Sequence, residues 1–328
     1  MSLIGNKPNQ VPTNGDLGSA AYVDQDRFYS SAVSASNRNL IINGGMNIWQ
    51  RATSHTTASG YNSVDRWSFN TYTGGAFTVS KEVDSVHGDY LKWNRTAQDT
   101  SNPNAGNAIQ QAIENAQYVV GGQYITVSFW LKDEAGLGSG FVRVRQGASP
   151  YVRINTDNTD GVWVSSSTAW EYHTFTFQVK SAAEIAMPNI HLLIQMDNGT
   201  AQGGVSITKV QLEVGSVATP FEHRQYGQEL ALCQRYFQKV DYNHNNGGLG
   251  ANWYLYNIPL LVEMRAPPTL SAATSYNSDT GSAYYYLSGP ALNGWVVDSA
   301  SITAVTVRGN STSVSQGLRG RGWFNSEL

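Results

Sequence analysis

The run YITVSFWLK, residues 124–132, alternates without a fault. Ile125, Val127, Phe129 and Leu131 fall on one side of an extended chain, and Tyr124, Thr126, Ser128 and Trp130 on the other. A period of two is that of a half-buried strand and is incompatible with an amphipathic helix. The same signature recurs at short spacing. Phe77, Val79 and Val83 share a face of GAFTVSKEV, Val142 and Val144 a face of FVRVR, and His173, Phe175, Phe177 and Val179 a face of HTFTFQV. VDRWSF, DYLKWNR, NIHLLIQM and VSITKVQLEV are further runs bounded by turn residues, and NLIINGGMNIWQR opens the series with a strand and a Gly44–Gly45 turn. In VSITKVQLEV the apolar phase flips between Val205/Ile207 and Val210/Leu212, which predicts a β-bulge at Thr208–Lys209. Many short strands with no helical pattern between them predict a two-sheet sandwich over residues 39–222.

The period then changes. Gly215 and Pro220 stop the last strand, and Tyr226, Leu230, Cys233, Phe237 and Val240 follow at heptad spacing. That stripe predicts a short helix within 223–240. Ala231, Leu232 and Tyr236 lie off the stripe and are also apolar. A helix apolar on more than one side must be buried from more than one side. One side would face its own chain and the other would face copies of itself, which makes the five stripe residues the expected oligomer interface. Residues 241–328 return to short strands: NWYLYNIPLLVEMR, interrupted at Pro259 and so an edge strand, then SAYYYLSG, GWVVDSA, SITAVTVRG and RGRGWFNSEL. They predict a second, smaller antiparallel β domain. Its core is thin enough to gain from oligomerisation.

Composition narrows the function. Charged residues make up 14% of the 328 and the net charge is −3, which argues against a nucleic-acid partner. The lone cysteine, Cys233, rules out an internal disulfide and a multi-cysteine metal site. MSLIGNKPNQ has no apolar signal core, and no apolar run approaches the ~20 residues that span a bilayer, so a soluble product of a reducing cytoplasm is expected. No nucleophile elbow, phosphate-binding loop, dinucleotide fingerprint or zinc-protease motif occurs. No two histidines stand at i, i+4, and Asp84/Asp89 and Asp157/Asp160 read as solvated turn residues before they read as a glycosidase pair. No catalytic residue, cofactor or metal is therefore expected. Eighteen Tyr, nine Trp and ten Phe among many Ser, Thr and Asn suit an all-β chain. They also suit a sugar-binding surface, where ring faces stack on apolar sugar faces and amides bond hydroxyls.

Three stretches carry a resemblance. QLEVGSVATPFEHRQYGQELALCQRYF, residues 211–237, resembles a signature of phage tail-fibre and receptor-binding proteins, and MRAPPTL with the final SEL resembles their distal domain. NLIINGGM, QQAIENAQYVVGGQYITVSFWLKDEA and VSITKVQLEVG resemble the jelly-roll sandwich of carbohydrate-binding modules. GNKPNQVPTNGDLGSAAYVD resembles the piece by which many tail fibres join the tail. The resemblance implies an all-β homotrimer in the virion, made in the host cytoplasm. Residues 1–38 would attach it to a tail or baseplate protein, and it would adhere to a bacterial surface polysaccharide without membrane insertion. Modules of this kind often hold a structural calcium, but Lys209, Asn43 and Gly45 stand here where carboxylates are common. Asp65, Arg66 and Trp67, the DRW triplet, are expected to be scaffold. The glycan is expected on the distal block, on Trp253, Tyr284, Tyr286 and Trp295, because its loops are long, polar and aromatic. The rival expectations are a structural spacer that carries another adhesin and, behind it, a glycan hydrolase.

Overall fold

The structure, a computed structural model, describes residues 38–56, 59–70, 76–97, 108–114, 119–134, 139–146, 152–157, 159–164, 168–181, 190–196, 203–244, 253–272, 296–310 and 318–327. In the first part of the chain the strands are β1 (Ser54–Thr56), β2 (Ser68–Asn70), β3 (Ala76–Asp84), β4 (Gly88–Ala97), β5 (Ala108–Ile113) and β6 (Tyr124–Asp133). They continue with β7 (Ser139–Gln146), β8 (Val152–Arg153), β9 (Gly161–Val164), β10 (Glu171–Gln178), β11 (Ile190–Met196) and β12 (Gly203–Val214). They build two antiparallel sheets, one in the order β1-β3-β4-β12-β6-β10 and the other in the order β2-β5-β11-β7-β8, with β9 also on β7.

The alternation in the sequence decides which sides meet. Ile125, Val127, Phe129 and Leu131 of β6 are fully buried, and they share one apolar core with Ile109, Val142, Leu192 and Ile194 of the opposite sheet. Trp67, Trp93 and Trp163 lie inside that core, where Phe69, Phe77 and Trp93 meet with centroids 5.8–6.3 Å apart. The predicted bulge is present: the β12–β6 register shifts between Thr208 and Gln211, and Lys209 takes a left-handed φ of 52°. Its neighbour Val210 receives the NGGM turn. The Val210 amide donates to Gly44 O at 2.9 Å, and a Cβ on Gly44 would stand 2.0 Å from Val210 O, so only glycine fits there. The opening NLIIN, expected as a strand, is not one: it is tied down by Asn39, whose Oδ1 accepts from Ile41 and Leu212 and whose Nδ2 donates to Val210 O.

After the sandwich comes helix α1 (Tyr226–Gln234), then β13 (Phe237–His244), β14 (Trp253–Pro259), β15 (Thr269–Ala272), β16 (Val296–Ala300), β17 (Ala304–Asn310) and β18 (Leu318–Asn325). Two three-stranded sheets result, β13-β18-β15 and β14-β17-β16. β14 is an edge strand and stops at Pro259, where the missing N–H ends the ladder. The helix is shorter than its stripe. It stops at Gln234 with Arg235 as C-cap, and Phe237 and Val240, expected on the helix, lie on β13. The reason is tertiary: β13 gains a full antiparallel ladder with β18, from Phe237↔Asn325 to His244↔Leu318. That set of backbone bonds outweighs two more turns of an isolated short helix.

The helix is fastened to the start of the sandwich. Glu229 accepts the Asn43 amide N–H, and Arg224 donates to the carbonyls of Asn39 and Ile41. Beside it, Arg51 bonds Asp65 at 3.3 Å and Glu327 at 3.1 Å, while Arg66 bonds Glu327 and the carbonyl of Ala112. Arg66 also lies 3.4 Å over the Tyr236 ring, and Arg51 lies 3.8 Å over Phe237. Asp65, Arg66 and Trp67 are all essentially inaccessible. Arg66 is held at φ 71°, a costly conformation for a large side chain that the surrounding bonds impose.

Candidate functional site

Of the four residues expected to hold a glycan, Tyr284, Tyr286 and Trp295 lie outside the described residues, and Trp253 opens the edge strand β14. Of the five expected to join copies of the chain, Tyr226 is 64% exposed and Leu230 is half-buried. Cys233, Phe237 and Val240 point into their own chain and are buried there. Burial raises the Cys233 thiol well above its ordinary pKa, with Asp65 and Glu229 adding to the effect, so it is no nucleophile.

The surface best suited to a ligand lies elsewhere, on the outer side of the sheet that contains β6. There the polar phase of YITVSFWLK faces away from the core. Trp130 stands directly opposite Tyr172 of β10 on one side and Thr208 of β12 on the other. Tyr90 of β4 extends the band, and two connections add rings from above: His87 from the β3–β4 turn and Trp170 from the residue before β10. Centroids are 5.5 Å apart for Tyr172–Trp130, 4.7 Å for Trp130–His87, 4.8 Å for His87–Trp170 and 5.3 Å for Trp170–Tyr90. The band thus crosses β10, β6, β12 and β4, about 14 Å at the usual strand spacing.

Local chemistry fixes the two connections. Asp84 accepts the amides of His87 and Val86, each at 2.8 Å, and faces His87 Nδ1 at 3.1 Å. Those amides hold its carboxyl well below the usual range. The turn is therefore set by an aspartate that bonds its own following backbone. The Lys132 ammonium lies 5.6 Å from the Tyr90 centroid and 5.5 Å from that of Trp170. It also pairs with Glu134 at 3.0 Å, and Glu134 in turn takes Lys92 at 3.5 Å and the Ser206 hydroxyl at 2.5 Å. Burial alone would raise Glu134; the Ser206 and Lys132 bonds outweigh it and hold the carboxyl below its ordinary value.

Tyr172 is 46% exposed, and Tyr90, Trp130 and Trp170 are half-buried. Partly exposed rings beside ammonium and carboxylate groups can stack on the apolar face of a sugar and bond its hydroxyls. Among the described residues no group of three or more His, Cys, Asp and Glu is placed to hold a metal ion.

No protein-family model matches this chain, and no curated protein matches it. Several solved structures align with about half of it. One is a CBM4 structure, at 16% identity over 52% of this chain and 97% of that one, with a TM-score of 0.37. Another is a Family 16 carbohydrate binding module, at 12% identity over 53% of this chain and 99% of that one, with a TM-score of 0.32. A third is the enzymatically active domain of bacteriophage CBA120 tailspike protein 4, at 11% identity over 54% of this chain and 21% of that one, with a TM-score of 0.35.

Proposed function

We propose that this chain is a virion receptor-binding protein of the tail-fibre kind, which adheres to a bacterial cell-surface polysaccharide and does not cut it. The observation that carries the proposal is the partly exposed band of Tyr90, Trp130, Trp170 and Tyr172 across the outer face of the sandwich. The tail-fibre part of the reading rests on the sequence signature at 211–237. In this reading the chain forms a homotrimer, residues 1–38 join it to the tail, and Trp253, Tyr284, Tyr286 and Trp295 form a second contact on the distal block. Single sugar contacts are weak, and three chains acting together gain by avidity.

A glycan array probed with the full chain tests the proposal, together with inhibition of phage adsorption by the same protein. Retained array binding by wild type, lost in Trp130→Ala/Tyr172→Ala, assigns the contact to the sandwich. Loss confined to Tyr284→Ala/Trp295→Ala assigns it to the distal block. Absence of binding to any glycan, with adsorption unaffected, favours a structural spacer, and release of free sugar from a bound polysaccharide favours a hydrolase.

A further inference from the structure

Helix α1 turns Glu229 and Cys233 inward, and a neighbouring side is formed by Gln228, Ala231 and Leu232 with the C-cap Arg235. These four stand at i, i+3, i+4 and i+7, one continuous face. With Val262 and Glu263 they line a groove of about 460 Å³. Its floor is apolar (Ala231, Leu232, Val262), and its two walls carry opposite charges, Arg235 on the helix and Glu263 on the turn.

Both walls are pinned. The buried Gln238 side chain accepts from Leu261 N and donates to Val262 O, each at 2.7 Å. Leu260 N donates to Thr303 O, Met264 N to Ile302 O, and Arg265 N to the Arg235 carbonyl at the end of the helix. The groove is therefore a fixed shape. Next to it, in the same pinned turn, Leu261 projects with 59% of its surface exposed. Tyr226, at the start of the helix, is also exposed.

We infer that the groove receives Leu261 of a second copy of this chain. An exposed apolar knob beside an apolar hole of opposite-charged walls is self-complementary. Arg235 of each copy then faces Glu263 of the other. Arg235 already meets Glu114 at 3.1 Å, with 40% and 24% of the two side chains exposed, but a guanidinium has five donors and an exposed pair of this kind binds little of its capacity. Because knob and hole sit side by side on one chain, two copies can each place Leu261 in the groove of the other. Such a contact is isologous and closes on a two-fold axis. This names a self-contact separate from the heptad stripe and from the homotrimer of the proposed function, and it rests on neither.

Light scattering on the full chain reads the result directly. Wild type at micromolar concentration is expected to run at twice the mass of Leu261→Asp and Leu232→Asp, with the same circular dichroism for all three. Glu263→Arg alone is expected to weaken the assembly at least tenfold. A second readout does not depend on those variants folding. Gln228→Cys and Leu261→Cys chains are co-expressed and treated with a bismaleimide; the native Cys233 is buried and stays silent. Cross-linked pairs that hold one chain of each kind are expected. A monomeric wild type, or an assembly that survives Leu261→Asp and yields no mixed cross-link, overturns the inference. Glycan binding by that monomeric wild type would leave the adhesin reading standing; loss of glycan binding with an intact assembly would do the reverse.

Discussion

The junction below the sandwich and the aromatic band on its outer face use the same chemical parts to opposite ends. In the junction, Arg66 lies on Tyr236 and Arg51 on Phe237, and both cations and both rings are out of water. On the outer face, Lys132 lies by Tyr90 and Trp170, but those rings stay partly exposed and Lys132 and Glu134 keep contact with solvent. The first arrangement has no surface left for a partner, so it can only hold. The second keeps part of each ring in contact with water. A count of aromatic and charged residues does not tell the two apart; the fraction of each ring that remains accessible does.

The comparison can be broken from either side. The largest expected effect is Glu327→Ala. It strands Arg66, which is fully buried, without its carboxylate, and removal of one partner of a buried pair costs about 3–5 kcal/mol. Chemical denaturation would read this as a lower midpoint with an unchanged slope; a loss under about 1 kcal/mol would mean that the junction is ornamental. Trp67→Ala, a fully buried indole that donates to Asn43 O at 3.1 Å, is expected to cost a similar ~3–5 kcal/mol and to leave glycan binding by any folded protein intact. Tyr172→Ala should behave in the opposite way. Its stability should stay within about 0.5 kcal/mol of wild type, as for an exposed site. Its glycan affinity should fall by about 1–2 kcal/mol, some tenfold, as for an interface aromatic. A lower melting temperature with unchanged binding would show that the band is packing.

The smallest effect concerns pH. His55 is pushed down to about 4 by burial, so between about 6.5 and 4 the unfolded chain binds a proton that the folded chain does not, and stability falls as pH falls. Asp65 is pushed up to about 6 by burial, against the pull of Arg51, so below that pH the folded chain binds the proton first and stability rises. The two trends oppose each other in wild type. Asp65→Asn removes the second, and its melting temperature should fall more steeply than that of wild type between pH 6 and 4. Parallel curves would show that Asp65 does not titrate in this window.

The sandwich was legible because alternation is a local rule with a global meaning. Ile125 to Leu131 point inward as their spacing requires, and the phase flip at Thr208–Lys209 marks a real shift of register. The end of the helix was not legible, because Phe237 and Val240 satisfy a heptad as well as they satisfy a strand. What decides is β18, some eighty residues away. The aromatic band was half legible. The outward phase of β6 puts Trp130 on the surface, yet nothing in the order of residues says that the turn at His87 and the residue Trp170 fold over the same spot. The DRW triplet was read as scaffold, and its burial agrees; that Glu327 completes it has no local signal at all.

That last contact also bears on how the chain reaches its native state. Arg51 and Glu327 are 276 positions apart, and Arg66 and Glu327 are 261 apart. Contacts of such long range are entropically costly to close and set in late during folding. Until Glu327 arrives, Arg66 has a ring and a carbonyl for company but no counter-charge, and its left-handed backbone is unsupported. The junction therefore works as a latch on the order of events: the sandwich can collapse by its local strand pairs first, and the distal strands become one body with it only when the far end of the chain has been drawn back to its beginning.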